Sequence, residues 1–417
     1  MAHHPEVLII GAGLAGLSCA RHLADSGISF EVIEASDGIG GRVRTDEHEG
    51  FLLDRGFQVL LTAYPEAQRT LDFHALELKK FRPAAFSWFA GRMNELLDPW
   101  RTLGGWRAAL QSDFATLGDK LRISRLRARL RRSSIDQLFR RPEYSAKEFL
   151  ASIGFSEPFI HRFFRPFFGG ILLDGDLRSS SRMLEFVFKM LSEGDAAVPA
   201  RGMGAIPAQI ASHLPDDSVR LDAQVESLHE NELRLAGGER LAARAIVVAA
   251  EGPAAAHLVG EAEPAGRSAT CFYYSADEPP VPHPTIVLNG DGAGPVNSLA
   301  VMSQIAPSYA PAGKSLIAAN VLGVQQLTEQ QLGGFIIAQM KNWFGPVARS
   351  WRYLKSYRIP HAQPQQFPGS LEPAQRPVRI RPGVYLCGDH RDNASIEGAM
   401  VSGRRAAEAV LADLARS

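Results

Sequence analysis

Glycines at positions 11, 13 and 16, followed by an acid at position 34, have a spacing that implies chemistry. The run Val7-Leu8-Ile9-Ile10 before them is short, apolar and partly β-branched, as a strand buried on both faces reads. Leu17 to Ala24 after them continues as a helix ending near Gly27, and Phe30-Glu31-Val32-Ile33 reads as a second strand that delivers Glu34 at its end. In such a strand–loop–helix, Gly11 permits the tight turn and Gly13 lets a pyrophosphate approach the backbone. Gly16 lets the helix pack on the strand. The first N–H groups of the helix, at Leu14 and Ala15, have no intrahelical acceptor and present a partial positive charge to a phosphate. Glu34, with Ala35 beside it, stands where ribose hydroxyls need an acceptor. These residues alone imply a dinucleotide, and a plain strand–turn–helix shares the same skeleton.

A second glycine-rich, basic stretch follows at once, Ala35-Ser36-Asp37-Gly38-Ile39-Gly40-Gly41-Arg42. Gly41 offers a further backbone approach to the pyrophosphate, and Arg42 could bond it through two N–H groups. A flexible turn with solvated arginines is the other reading. The acid followed by Gly-Gly-Arg resembles the flavoprotein superfamily of amine oxidases, protoporphyrinogen oxidases and phytoene desaturases. In that superfamily the pattern marks FAD.

The resemblance recurs along the chain. Asp54-Arg55-Gly56-Phe57 looks like the family segment that passes beside the flavin ring, which assigns Gly56 and Phe57 to the cofactor. Gly202-Met203-Gly204-Ala205-Ile206-Pro207 is similar to a segment of the desaturases and porphyrinogen oxidases. The short strands after it, ending in Ala245-Ile246-Val247-Val248, match the family's return to the FAD domain, with Val225 placed by its backbone at the adenine. Near the end, the resemblance assigns Gly388 and Asp389 to the ribityl or phosphate oxygens. It places the Gly398, Ala399 and Met400 amides at the N1–O2 edge of the flavin. The implied fold is α/β with two domains: a Rossmann-like FAD-binding domain, and a mixed β-sheet plus helical substrate domain. Residues 1–75, 196–270 and 379–417 would form the first, and residues 76–195 and 271–378 the second.

The interposed segments carry the clues to substrate. Ser145-Ala146-Lys147-Glu148 is a capping box that starts a helix. Phe155, Phe159, Phe163, Phe164, Phe167 and Phe168 follow, a set that either packs a core or lines an apolar tunnel. Leu110, Phe114, Leu117 and Leu121 fall at helical spacing, with Arg122, Arg125, Arg129 and Arg132 continuing as a basic face. Residues 110–132 therefore read as a candidate peripheral membrane contact or as a solvated helix. Trp351 to Pro364 resembles the family segment that crosses from the substrate domain to the flavin. It makes Tyr357, His361 and Lys355 candidates to face the substrate, each also an ordinary strand residue.

The remaining features narrow the function by exclusion. The 45 basic and 45 acidic residues balance, so no global charge attracts nucleic acid. Cys19, Cys271 and Cys387 are three, far apart, and fit neither a disulfide framework nor a metal spacing. No apolar run is long enough for a membrane span and the start lacks a signal-peptide pattern, so a cytoplasmic protein, at most peripheral to a membrane, is expected. Gly290-Asp291-Gly292-Ala293-Gly294 precedes a proline and no helical pattern, so it reads as a loop. One dinucleotide fingerprint, and not two, points away from a nicotinamide partner and towards oxygen or a quinone as electron acceptor. His390 to Ser395 lacks the aromatic residue with which amine oxidases complete their cage, and this departure argues against a simple amine. The reading is an FAD-dependent oxidase or desaturase that removes hydride from a large apolar molecule, isoprenoid or tetrapyrrole-like. An amine oxidase, and an isomerase or dehydroxylase without net oxidation, are the alternatives.

Overall fold

The computed structural model describes residues 5–98, 100–101 and 115–416. Strand β1 (Val7–Ile10) is buried at every position and pairs in parallel with β2 (Phe30–Ile33) on one side and with Ala245–Val248 on the other. The sheet continues from Ala245–Val248 to Val384–Leu386 in parallel, and Arg379–Arg381 closes that edge antiparallel. Val219–Arg220 closes the opposite edge beside β2. The all-apolar strands follow from burial on both faces. Helix α1 (Leu14–Asp25) lies on one face, against the helix Ile396–Leu414. A Cβ at Gly16 would overlap the Gly11 carbonyl oxygen, so only glycine allows α1 to leave the loop this tightly. Segments from the beginning, middle and end of the chain thus make one sheet.

A second sheet has seven strands, in the order Arg352–Pro364, Gly266–Ala276, Ser315–Leu322, Val296–Val301, Ile286–Asn289, Ala84–Phe89 and Arg92–Leu97. Its pairs are antiparallel except Ile286–Asn289 with Ala84–Phe89. The strand Gly266–Ala276 lies wholly in this sheet, so it crosses the boundary expected at 270/271. Gly290 to Pro295 is the loop joining two of these strands, as its composition indicates.

Helices pack beside this sheet. The Ser145 capping box is present: the Ser145 hydroxyl accepts from the Glu148 N–H at 3.2 Å, and the Glu148 carboxylate accepts from the Ser145 N–H at 3.0 Å. Further on, Ile160–Phe164 forms a π-helical turn directly before the helix Arg165–Ile171. Pro166 has no N–H to donate to a preceding turn, a sufficient reason for the helical ladder to widen there. Phe163 stacks on Phe159 at 5.4 Å and on Phe167 at 5.3 Å between ring centroids.

The basic helix differs from its sequence expectation. Leu110 and Phe114 lie outside the described residues. The helix runs from Leu117 to Arg131, capped by Thr116 in a reciprocal box with Asp119. Its buried face is Asp119, Leu126 and Leu130. Leu117 and Leu121 are instead 66% and 58% exposed. Arg129 pairs with Glu185 and Arg127 with Asp98, so part of the basic face is tied to the fold. Cys19, Cys271 and Cys387 are free thiols, all buried. Among the described residues, no helix is long and apolar enough to cross a membrane.

Candidate active site

A cavity of about 990 Å³ runs from the glycine loop of the parallel sheet into the aromatic helices. Gly11, Gly13, Leu14 and Ala15 form its wall at one end, together with Glu34, Ala35, Gly41, Arg42, Val225, Gly388 and Asp389. Helix α1 has no side-chain cap at its start, and an added Cβ at Gly13 would meet nothing within 4 Å. The loop therefore presents unsatisfied N–H groups and open space, the pair of properties a pyrophosphate requires. The second glycine stretch lies against the first: the Gly40 N–H donates to the Ala12 carbonyl at 2.8 Å.

Charged residues organise this end. One Glu34 oxygen accepts from the Ala12 N–H at 2.7 Å, and the other accepts from the Ser36 N–H at 2.9 Å. The carboxylate so clamps the glycine loop to the end of β2 while still lining the cavity. Arg42 pairs with Asp389 at 2.8 Å and donates to the Ala362 carbonyl at 2.8 Å. Its guanidinium thus joins the beginning of the chain, its end and the strand Arg352–Pro364, and two of its five N–H groups are committed before any ligand binds.

The sequence-derived assignments separate into those that reach the cavity and those that do not. Gly56 and Phe57 line it, and Gly56 has φ +99° with an added Cβ only 2.6 Å from Ile359 Cδ1. The positive φ favours glycine there, and a Cβ would also require the end of the Ile359 side chain to shift. Gly16, Gly398 and Met400 do not line the cavity. Ser395 caps the last helix and its hydroxyl accepts from the Gly398 N–H at 3.0 Å, while Met400 is fully buried in the core. Of that helix start, Ser395, Ile396 and Ala399 face the cavity. The Gly398 amide, expected to face a ligand, here donates to the Ser395 cap.

The three substrate-facing candidates are also divided. Tyr357 lines the cavity, and its hydroxyl donates to Asp46 at 2.7 Å. Lys355 turns to the same Asp46 at 3.0 Å and is absent from the wall. Burial would raise the Asp46 carboxyl, but hydrogen bonds from Arg55, Tyr357 and Lys355 hold it well below its ordinary value. His361 faces a small side pocket shared with His390 and Gly266, near the point where the strand's register shifts and its alternation breaks. Neither Lys355 nor His361 meets the main cavity.

Other groups have roles that no motif announced. Asp54 is buried and accepts from Thr45 Oγ1 at 2.5 Å, the Met203 N–H at 2.8 Å and the Tyr309 hydroxyl at 2.8 Å. The Tyr273 hydroxyl donates to its carbonyl at 2.9 Å. Burial pushes the Asp54 carboxyl up to about 6 against these hydrogen bonds. Asp54 so anchors the Gly56 turn between the two sheets. Cys271 lines the cavity, and burial pushes its thiol up to about 12, so it stays protonated.

A glycine loop and uncapped helix on a parallel sheet, closed over one cavity by an antiparallel sheet and aromatic helices, define a two-domain dinucleotide-binding oxidoreductase. The family model of flavin containing amine oxidoreductases matches residues 14–411, and the chain belongs to that family of FAD-dependent oxidoreductases. Among solved structures, an oxidoreductase from Methanosarcina mazei is similar with a TM-score of 0.75 at 18% identity, covering 96% of this chain and 99% of that one. A protein assigned as protoporphyrinogen oxidase from an Exiguobacterium species has a TM-score of 0.71 at 17% identity, covering 98% and 99%. These identities establish the fold alone. By sequence, the 15-cis-phytoene desaturase of an Oncidium hybrid cultivar is 42% identical over 64 residues, 15% of this chain and 11% of the relative. The curated relatives match over 7% to 15% of their own lengths.

Proposed function

We propose that this chain removes hydride from a large apolar molecule of isoprenoid or tetrapyrrole kind. The observation that carries the reading is the aromatic half of the cavity, walled by Phe57, Phe81, Phe159, Phe163, Phe167 and Phe188. Each methylene moved from water into such a wall contributes about 0.8 kcal/mol to binding. In this reading Gly11, Gly13, Leu14 and Ala15 hold the FAD pyrophosphate, Glu34 the ribose and Val225 the adenine, while Gly56 and Phe57 border the ring. Bound FAD supplies a two-electron acceptor at one end of the cavity, with oxygen or a quinone as the final oxidant.

The chain's own part is to position and to exclude water. The described polar residues of the substrate end include the carboxylate of Asp98, the cations Arg82, Arg101, Lys120 and Arg127, the Tyr357 hydroxyl and a protonated thiol at Cys271. Such a wall suits orientation of a C–H bond better than acid–base or nucleophilic chemistry.

Anaerobic titration of the FAD-loaded protein tests the reading. Phytoene or protoporphyrinogen is expected to bleach the visible absorption of the oxidised flavin, and small amines such as cyclohexylamine are not. Bleaching by amines alone would sink the proposal. Conversion of an isoprenoid without net bleaching would identify an isomerase instead.

A further inference from the structure

One wall of the cavity belongs to the seven-stranded sheet, and strand pairing fixes the order of the side chains there. Tyr357 is paired with Cys271, Cys271 with Asn320, and Asn320 with Ser298, across four neighbouring strands. Paired residues project to the same face of a sheet, and all four line the cavity. Two positions along these strands, the next row is Ile359, Ala269 and Leu322, also in the wall and wholly apolar. A polar row thus lies beside an apolar one. Its two ends are distinguishable. At the first, Tyr357 donates to Asp46 at 2.7 Å and the Phe57 N–H donates to the Cys271 sulfur, so this end meets the Gly56 turn. At the second, a Cβ added at Gly170 would stand 4.0 Å from Ser298 Oγ, and the adjacent Asn297 donates to the Pro166 carbonyl at 2.9 Å. This end meets the helix Arg165–Ile171.

Asn320, between these ends, is different. Its Nδ2 donates to Ser298 Oγ at 3.4 Å, a long bond, and its buried Oδ1 has no hydrogen-bond partner among the described residues. Leaving a buried acceptor unpaired is costly, and the open space that can bring it a donor is the cavity its side chain lines. An asparagine amide turns about χ2 in a broad minimum, so Oδ1 can be presented to that space without rebuilding the strand. We infer that Asn320 determines substrate specificity by accepting a hydrogen bond from an uncharged hydroxyl or N–H on an otherwise apolar molecule. No member of the row is charged, so a neutral donor suits it better than an ammonium, whose burial needs a carboxylate. The inference rests on the apolar-substrate reading and narrows it. A bare hydrocarbon leaves Oδ1 unpaired, whereas an isoprenoid alcohol or a pyrrole N–H satisfies it. Asn320 stands two strands, about 10 Å, from Tyr357, so a donor held there fixes which part of the molecule reaches the Gly56 turn.

Titration calorimetry of the FAD-loaded protein, with the flavin kept reduced so that no hydride moves, tests this with matched ligands. Geraniol is compared with geranyl methyl ether, and 2-heptylpyrrole with its N-methyl derivative. Methylation removes the donor and makes each molecule more apolar, so a merely apolar wall binds the methylated partner at least as well. At least one unmethylated ligand is expected to bind wild type about tenfold tighter than its methylated partner. The pair that shows the gap tells a hydroxyl site from a pyrrole site. In Asn320→Leu the gap closes while the methylated ligands bind as before. Flavin content and melting temperature verify that the variant folds, and the wild-type comparison decides the matter if it does not. Equal binding within both pairs, tighter binding of the methylated ligands, or a gap that survives Asn320→Leu overturns the inference and leaves the apolar reading standing. Failure of all four ligands to bind removes both.

Discussion

At the scale of single residues, Gly13 and Gly16 separate cofactor binding from folding. A Cβ at Gly16 would overlap protein backbone, whereas at Gly13, with φ −74°, it would project into space that no described atom occupies. Gly13→Ala is therefore expected to fold, with the melting temperature of the flavin-free protein changed by no more than about 2 °C. Its FAD affinity is expected to fall at least tenfold, as read by flavin retained through gel filtration. Retention equal to wild type would remove Gly13 from the pyrophosphate site. The glycine spacing was legible in the sequence because all of its geometry is local. Asp54 was not: its identity was plain, but the groups that use it, Met203, Tyr273 and Tyr309, stand 149, 219 and 255 residues away.

At the scale of elements, the helix Leu117–Arg131 shows how periodicity misleads. Its leucines at 117 and 121 suggested an apolar face, yet the face turned to the core contains the carboxylate of Asp119. That carboxylate accepts from Thr116 and, at 2.8 and 2.7 Å, from the Ser156 N–H and hydroxyl. A polar residue at a core position breaks the hydrophobic pattern while stabilising the element. Asp119→Ala removes the carboxylate half of the capping box and leaves the Ser156 donors without their acceptor, at a cost of roughly 1–3 kcal/mol. Denaturant unfolding should report that loss. An unchanged unfolding midpoint would show that the box does not hold the element. The Ser145 box, by contrast, was legible because its four residues follow the local rule.

At the scale of the whole molecule, three buried carboxyls shape the pH dependence of stability, opposed by His390, which burial lowers to about 4. Burial raises Asp54 and Asp392 to about 6 and Glu397 to about 7, the last also through repulsion by Glu66 and Asp392 against hydrogen bonds from the Glu66 and Ala67 N–H groups. Each folded value lies above that of the unfolded chain. Unfolding therefore releases protons, and stability present in mild acid is lost as pH rises from about 4 through 7. Glu397 alone contributes up to about 3 kcal/mol to that slope. Across this interval the melting temperature of Glu397→Gln relative to wild type should rise with pH, because the variant lacks the Glu397 loss. A variant as steep as wild type would exclude Glu397 as a source. The α/β, two-domain fold class was legible from the FAD fingerprint and its recurrence along the chain. The course of Gly266–Ala276 through the expected boundary was not, because a strand's partners, and not its own residues, decide which sheet it joins.

The parallel sheet also bears on how the protein is made. β1 and β2 can pair early, but Ala245–Val248 and Val384–Leu386 must be synthesised before the sheet is complete. At ribosomal speeds the interval between β2 and Ala245 is roughly 10 to 40 s. Through that time the apolar edge of β1 waits without its partner. A nascent chain of this design is a natural client for chaperones, and synonymous codon changes that slow translation between residues 33 and 245 should lower its soluble yield without altering a single amino acid.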